Sequence, residues 1–307
     1  MAALFQRILD FVDGHQRRHA WLSVPVAVVR KFGEDRAGDM GAVVAYFGFL
    51  SLFPLLLAFA AILGFVLAGH PDLQRQVLHN AEHSFPALSG YLDNAVSGSR
   101  LALGLGLAGA LWAGTGVTRG LERAMNAIWD IPVADRPNLW RSRLRGLVML
   151  CVLGATALAS TALAGLRTTS GLLAWPAQVL GVLGEVGLNF ALYLLAFQVL
   201  TNRSLRWRAI VPGAALGAVG WTILQELGAF FTRYEIAHAS HLYGTLAVVV
   251  GLLAWIYLGA RFTFYAAEVN VVLEYRLWPR SLTGRRTDAD HRALARQVHE
   301  TETVSAR

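Results

Sequence analysis

The residues able to do chemistry are few, and they sit in apolar surroundings. Arg261, Tyr265 and Glu268 follow at spacings of four and three, and Glu185 and Asn189 are four apart. On a helix each set shares one face. Asn270, Gln198, Gln225 and Glu226 are the other polar groups inside long apolar runs. A charged side chain at the centre of a membrane helix costs roughly 2.5–3.5 kcal/mol, so it faces other helices or water. Two readings follow. In one, Arg261, Glu185, Asn189, Glu226, Glu268, Asn270 and Tyr265 bind the polar head of a substrate, with acidic residues toward one side of the membrane and the arginine toward the other. In the other, they are hydrogen bonds between helices and end-of-span groups that snorkel. The two stand level for Arg261 and Glu185. The second is preferred for Gln225, Glu226 and Glu268, which lie near the ends of their runs.

Other motifs lead elsewhere. His79-Asn80-Ala81-Glu82-His83 has the spacing of an inverted zinc-protease motif, with Glu82 as a base and His238 or His241 as further ligands. The match is short and no third ligand stands out, so exposed histidines on an amphipathic helix are the preferred reading and no metal is expected. Gly104, Gly106 and Gly109 spell GxGxxG, but within an apolar span instead of between a strand and a helix. Small residues that let helices approach closely explain them better, and Gly213 and Gly217 read the same way. Cys151, the lone cysteine, lies in an apolar run as a packing residue. There is no GxSxG elbow, CxxC pair or Walker loop. No catalytic residue and no cofactor are expected, and the protein is not expected to be an enzyme.

The elements that must position these groups are membrane helices. Of 307 residues, 55% are hydrophobic and 15% charged, against about 25% charged in an ordinary soluble domain. Disorder and a disulfide scaffold are both excluded. Six stretches are long enough for a bilayer core, which takes roughly 20 helical residues. They are Ala42–Gly69, Leu101–Val117, Gly146–Leu166, Ala177–Thr201, Ala209–Phe231 and Gly244–Leu273. The expected fold class is therefore all-α: a polytopic integral membrane protein with six transmembrane helices plus short amphipathic helices. The latter are expected over Leu4–Val29, between His70 and Arg100, and at Thr118–Trp129. The expected division is a cytoplasmic amphipathic segment over 1–41, a transmembrane domain over 42–276 and a polar, partly disordered tail over 277–307, with a short helix near Ala289–Val298. Trp21–Val29 is short and followed by Arg30-Lys31, so no cleavable leader is expected.

Of 27 basic residues, 22 fall on one side of this topology, four on the other, and Arg261 within the last span. That bias places both termini in the cytoplasm. It also explains the net charge of +7 without nucleic acid. The expected partners are membrane lipids, with anionic headgroups suited to the arginine rim.

Three stretches together resemble the YihY/BrkB family of bacterial inner-membrane proteins. They are Ala45-Tyr46-Phe47-Gly48-Phe49-Leu50-Ser51-Leu52-Phe53-Pro54-Leu55-Leu56-Leu57, Leu121-Glu122-Arg123-Ala124-Met125-Asn126-Ala127-Ile128-Trp129, and Tyr243-Gly244-Thr245 with Trp255-Ile256-Tyr257 and Ala267-Glu268-Val269-Asn270. Pro212-Gly213 adds to them, and the resemblance runs from about Arg30 to Tyr275. Ala267 departs from the glycine often found there. The resemblance implies six transmembrane helices and an envelope role. The family has carried a ribonuclease BN label, and it has been linked to serum resistance and to moving lipid-linked material across the inner membrane.

The expected function is a transporter or lipid-translocating protein for an amphiphile, with its head near Arg261. A scaffold for envelope-assembly partners is the alternative, and a membrane-bound metal-dependent hydrolase or ribonuclease stands behind both. Pro54, which removes a backbone hydrogen bond, either opens the first span for a headgroup or makes a plain packing kink.

Overall fold

The computed structural model describes residues 13, 14, 16, 19–66, 100–132, 138–167, 174–238, 244–281 and 287–305. Among the described residues the elements are all helices: α1 (Ala20–Glu34), α2 (Ala37–Val66), α3 (Arg100–Ile128), α4 (Leu139–Arg167), α5 (Ala174–Leu200), α6 (Trp207–His238), α7 (Gly244–Glu274) and α8 (Asp288–Ser305). Of the amphipathic helix expected over Leu4–Val29, the part before residue 13 lies outside the described residues; His19 is not helical, and α1 starts at Ala20 and runs past Val29 to Glu34. The helices expected over 70–99 lie outside the described residues, as do His79, His83 and His241.

Each expected span falls on one long helix, α2 to α7, the first of them as far as Val66, beyond which residues 67–69 lie outside the described residues. Within the described residues three stretches, Trp175–Leu200, Trp207–Gly228 and Val249–Glu274, are long and apolar enough to cross a membrane. Their outward sides are apolar. Leu180 and Leu183 on α5, Val219 and Ile223 on α6 and Val250 on α7 are exposed. A water-soluble protein seldom leaves so continuous an apolar surface uncovered. Trp140, Trp175 and Trp207 open α4, α5 and α6 and are exposed too, as befits side chains at a membrane–water interface.

The structure departs from the expected elements at Val117. No break separates a span from a helix over Thr118–Trp129, because α3 runs on to Ile128. The Thr118 hydroxyl donates to the Gly114 carbonyl at 3.0 Å, so it stays within the helix instead of capping a new one. At its far end α3 stops in a Schellman turn. The Ile131 amide reaches the Asn126 carbonyl at 2.8 Å and the Asp130 amide reaches Ala127 at 2.9 Å. Asp130 holds the left-handed position usual for glycine, with φ 52°. The end of α7 repeats this turn, with Arg276 at φ 50°.

Close packing of the long helices uses glycine. A Cβ on Gly109 would come within 2.9 Å of Pro54, and one on Gly116 within 2.5 Å of Phe47. The α2–α3 pair therefore packs with its backbones close together. α2 passes through Pro54 as one helix. In the other half of the chain, α7 packs on α6 and also touches α1, α2 and α3, which makes it the shared wall of the bundle.

The tail is docked. α8 begins with a capping box. The Thr287 hydroxyl accepts from the Asp290 amide at 3.2 Å, and the Asp290 carboxylate accepts from the Thr287 amide at 2.8 Å. Asp290 then meets Arg280 at 3.0 Å and Arg30 of α1 at 3.2 Å. The helix expected near 289–298 is thus present, longer than expected, and tied to α1.

Candidate functional site

Helix α7 has two working faces. Tyr257, Arg261, Tyr265 and Glu268, at spacings of four, four and three, look toward α1 and α2. Gly259, Thr263, Ala266 and Asn270 look toward α5 and α6.

On the first face the Arg261 guanidinium lies 5.4 Å from the Phe32 ring and 5.5 Å from the Tyr257 ring. Phe32 also stacks on Tyr265, with ring centroids 3.9 Å apart and planes at 10°. Phe32 reaches this position because α1 buries Ala27, Val28, Lys31 and Phe32 at helical spacing against α7. α2 makes room at Gly41, where a Cβ would sit 3.4 Å from the Arg261 side chain. The Arg261 Nε is buried without a hydrogen-bond partner. Among the described residues this cation is met by ring faces and is paired with no carboxylate. Such contacts are worth about 0.5–2 kcal/mol. They leave the hydrogen-bonding capacity of the guanidinium largely unused.

Two turns along the same face is a buried charge cluster. Lys31 Nζ lies 2.5 Å from Asp35 Oδ2, 3.5 Å from Asp130 Oδ1 and 3.9 Å from Glu268 Oε2. Arg296 of α8 joins through its Nε, 2.8 Å from Asp130 Oδ2, and its guanidinium carbon lies 3.5 Å from the centre of the Tyr275 ring. Burial works against the charge on Lys31, but Glu268, Asp35 and Asp130 outweigh it and raise the ammonium above the ordinary lysine range. Burial pushes the Asp35 carboxyl up, despite the neighbouring Lys31. At α8, burial of Asp290 is overcome by hydrogen bonds from Thr287 and Ser281 and by Arg30, which hold its carboxyl below the usual range.

A second polar junction joins α3 to α4 and to the turn before α6. Glu122 accepts from the Ser142 hydroxyl and lies 3.7 Å from Arg145. Arg145 donates to Asn202 at 2.7 Å, and the Asn202 amide donates to buried Asn126 at 2.8 Å. Glu122 and Asn126 both come from the motif Leu121–Trp129.

The remaining predicted residues are on other surfaces. Asn189 of α5 donates to Thr222 of α6 at 3.2 Å. Glu185 is buried one turn away on α5. Asn270 accepts from the Gly213 backbone amide of α6 at 2.6 Å, an approach possible only because Gly213 has no side chain. Gly217 turns instead to Tyr193 of α5. Gln225 and Glu226 are exposed. Pro54 packs against Gly109. The structure thus brings Arg261, Tyr265 and Glu268 to one face and places Asn189 and Asn270 on helix–helix contacts elsewhere. Lys31, Asp35 and Asp130 were not singled out from the sequence. The available signal was Lys31 itself, the sole lysine among 27 basic residues.

Comparison with known proteins gives a consistent result. The model of the family described as virulence factor BrkB matches residues 28–291. The Inner membrane protein YhjD of Escherichia coli (strain K12) is 28% identical over 282 residues, covering 83% of this chain and 82% of that protein. The putative ribonuclease-like protein YfkH of Bacillus subtilis (strain 168) is 26% identical over 252 residues, 76% of this chain and 89% of that one. The UPF0761 membrane protein Smlt0865 of Stenotrophomonas maltophilia (strain K279a) is 28% identical over 245 residues, 74% of this chain and 55% of that one. No solved structure matches the chain.

Proposed function

Because this chain belongs to the BrkB virulence factor family, we propose that it is a multi-pass inner-membrane protein that binds and translocates an amphiphile with an anionic head. The observation that carries this reading is Arg261. It is a cation on a helix long and apolar enough to span a membrane, held between Phe32 and Tyr257 and paired with no carboxylate among the described residues. A guanidinium there is stabilised most by an anion that accepts its hydrogen bonds. A phosphate or carboxylate headgroup supplies one, while its chains lie against the apolar flanks of the bundle. All six long helices cross the membrane in this reading. The end carrying α1 and α8 faces the cytoplasm, where anionic lipid and the arginine bias coincide.

A second reading, a non-transporting scaffold, is favoured by Asn189 and Asn270. Both are spent on holding α5, α6 and α7 together. The ribonuclease-like name of the Bacillus relative suggests a third activity. Metal-assisted hydrolysis needs carboxylates free to hold ions, whereas Asp35 and Asp130 are turned toward Lys31 and Arg296.

Reconstituted vesicles separate the first two. Transbilayer movement of a labelled anionic phospholipid should fall about tenfold or more in Arg261→Gln, the worth of one charge-assisted contact. Movement of a labelled zwitterionic lipid should stay low in both proteins. An unchanged anionic rate in a folded variant supports the scaffold.

A further inference from the structure

Among the described residues the charges around Lys31 do not balance. Lys31 and Arg296 bring two positive charges, and Asp35, Asp130 and Glu268 bring three negative ones if all are ionised. Two carboxylates are held by cations: Asp35 lies 2.5 Å from Lys31, and Asp130 lies 2.8 Å from Arg296. Glu268 differs. Its side chain is 0% exposed and, among the described residues, its nearest cation is Lys31 at 3.9 Å and neither of its oxygens receives a hydrogen bond. Beside it, on the same Lys31 ammonium, lies the carboxylate of Asp35. Two ionised carboxylates repel, and a proton between them turns the same contact into a hydrogen bond.

We propose that Glu268 is a proton-binding site, carrying one exchangeable proton on its carboxyl and donating it in a hydrogen bond to the Asp35 carboxylate. The step is a simple acid–base equilibrium. An O–H bond forms on Glu268 with a proton taken from water at the end of the bundle where α1 and α8 dock, and nothing is oxidised or reduced. Among the described residues the charged groups around the site are Lys31 from α1, Asp35 from the α1–α2 turn and Asp130 from the end of α3, with Arg296 of α8 acting through Asp130. α6 meets the opposite face of α7 through the Gly213 backbone. The placement links the proton to the Arg261 site. Lys31 precedes Phe32, which covers Arg261. When the proton leaves, the new charge on Glu268 draws the ammonium, and α1 with it, toward α7. When it returns, that pull relaxes. This inference reaches beyond the translocation reading and does not rest on it, because proton occupancy is read in the resting protein without any substrate.

The test is infrared spectroscopy of the purified full chain in lipid nanodiscs. The wild type should show the carbonyl stretch of a protonated carboxylic acid at neutral pH. That band should vanish in Glu268→Gln, persist in Glu185→Gln, and fade with alkali as a one-proton titration. Labelling the wild type with ¹³C-glutamate keeps the test sharp if Glu268→Gln fails to assemble: the band, still present in Glu185→Gln, should then shift. Absence of the band overturns the proposal. So does a band that survives Glu268→Gln, disappears in Glu185→Gln, or fails to shift with labelled glutamate.

Discussion

Asp130 carries two opposed contributions that a short substitution series separates. Its backbone occupies the left-handed region at φ 52°, which costs a non-glycine residue about 1–2 kcal/mol. Its side chain, 5% exposed, accepts from Arg296 at 2.8 Å and faces Lys31 at 3.5 Å. Removing one member of a buried ion pair costs about 3–5 kcal/mol, and the partial exposure of Arg296 lowers that to about 2–4 kcal/mol. Asp130→Ala loses the pairs and keeps the strain, so it should cost about 2–4 kcal/mol. Asp130→Gly loses the pairs but relieves the strain, so its net cost should be about 0–3 kcal/mol. Asp130→Asn should fall between them, since asparagine tolerates this backbone. Equilibrium unfolding in mixed detergent micelles, followed by circular dichroism, measures the order. The expected ranking is wild type, then glycine, asparagine and alanine. If Asp130→Ala is as stable as the wild type, or Asp130→Gly exceeds it by the full strain of about 1–2 kcal/mol, the buried ion pairs contribute nothing and the account of the cluster is wrong.

Three further outcomes follow from the geometry. The Asp290 carboxyl lies below its ordinary range, so its contacts stabilise the docked tail fully above the ordinary aspartate value and are lost as pH falls through the folded one. Limited proteolysis should therefore find α8 protected from pH 5 to 8 and increasingly cleavable below about pH 4. Lys31 shifts the other way. Its stabilising contribution is complete below the ordinary lysine value and persists beyond it, so alkali up to about pH 10 should not loosen α1. Gly213→Ala would put a Cβ 2.1 Å from the Ala266 carbonyl and 2.5 Å from Asn270. It should destabilise the α6–α7 pair by about 3 kcal/mol or more, read by the same unfolding assay.

Much of the helical frame is legible in the sequence because bilayer-spanning runs are long and apolar. Each expected span lands on a helix. The cluster at Lys31 is not legible, for a physical reason. Lys31, Asp130 and Glu268 are separated by about a hundred residues or more, and only the packing of α1 and α3 on α7 brings them together. Read along the chain, Arg30-Lys31 looks like a solvated flank and Asp130 like a loop residue. Arg261 was visible because a charge inside an apolar run is anomalous by itself. Its aromatic partner Phe32 was not, since an aromatic residue in an amphipathic helix has many possible neighbours. The continuity of α3 past Val117 was hidden by the change from apolar to charged composition, which marks where a helix leaves the apolar zone and not where it stops.

Native mass spectrometry of the full chain, released from detergent with a mixture of anionic and zwitterionic phospholipids of equal chain length, probes the binding role of Arg261. The wild type should retain the anionic lipid preferentially. Arg261→Gln should lose that preference, while Arg203→Gln, changed in the turn between α5 and α6, should keep it. A wild type without preference, or an Arg261→Gln that matches it, would contradict the assignment of Arg261 as the anion-binding residue.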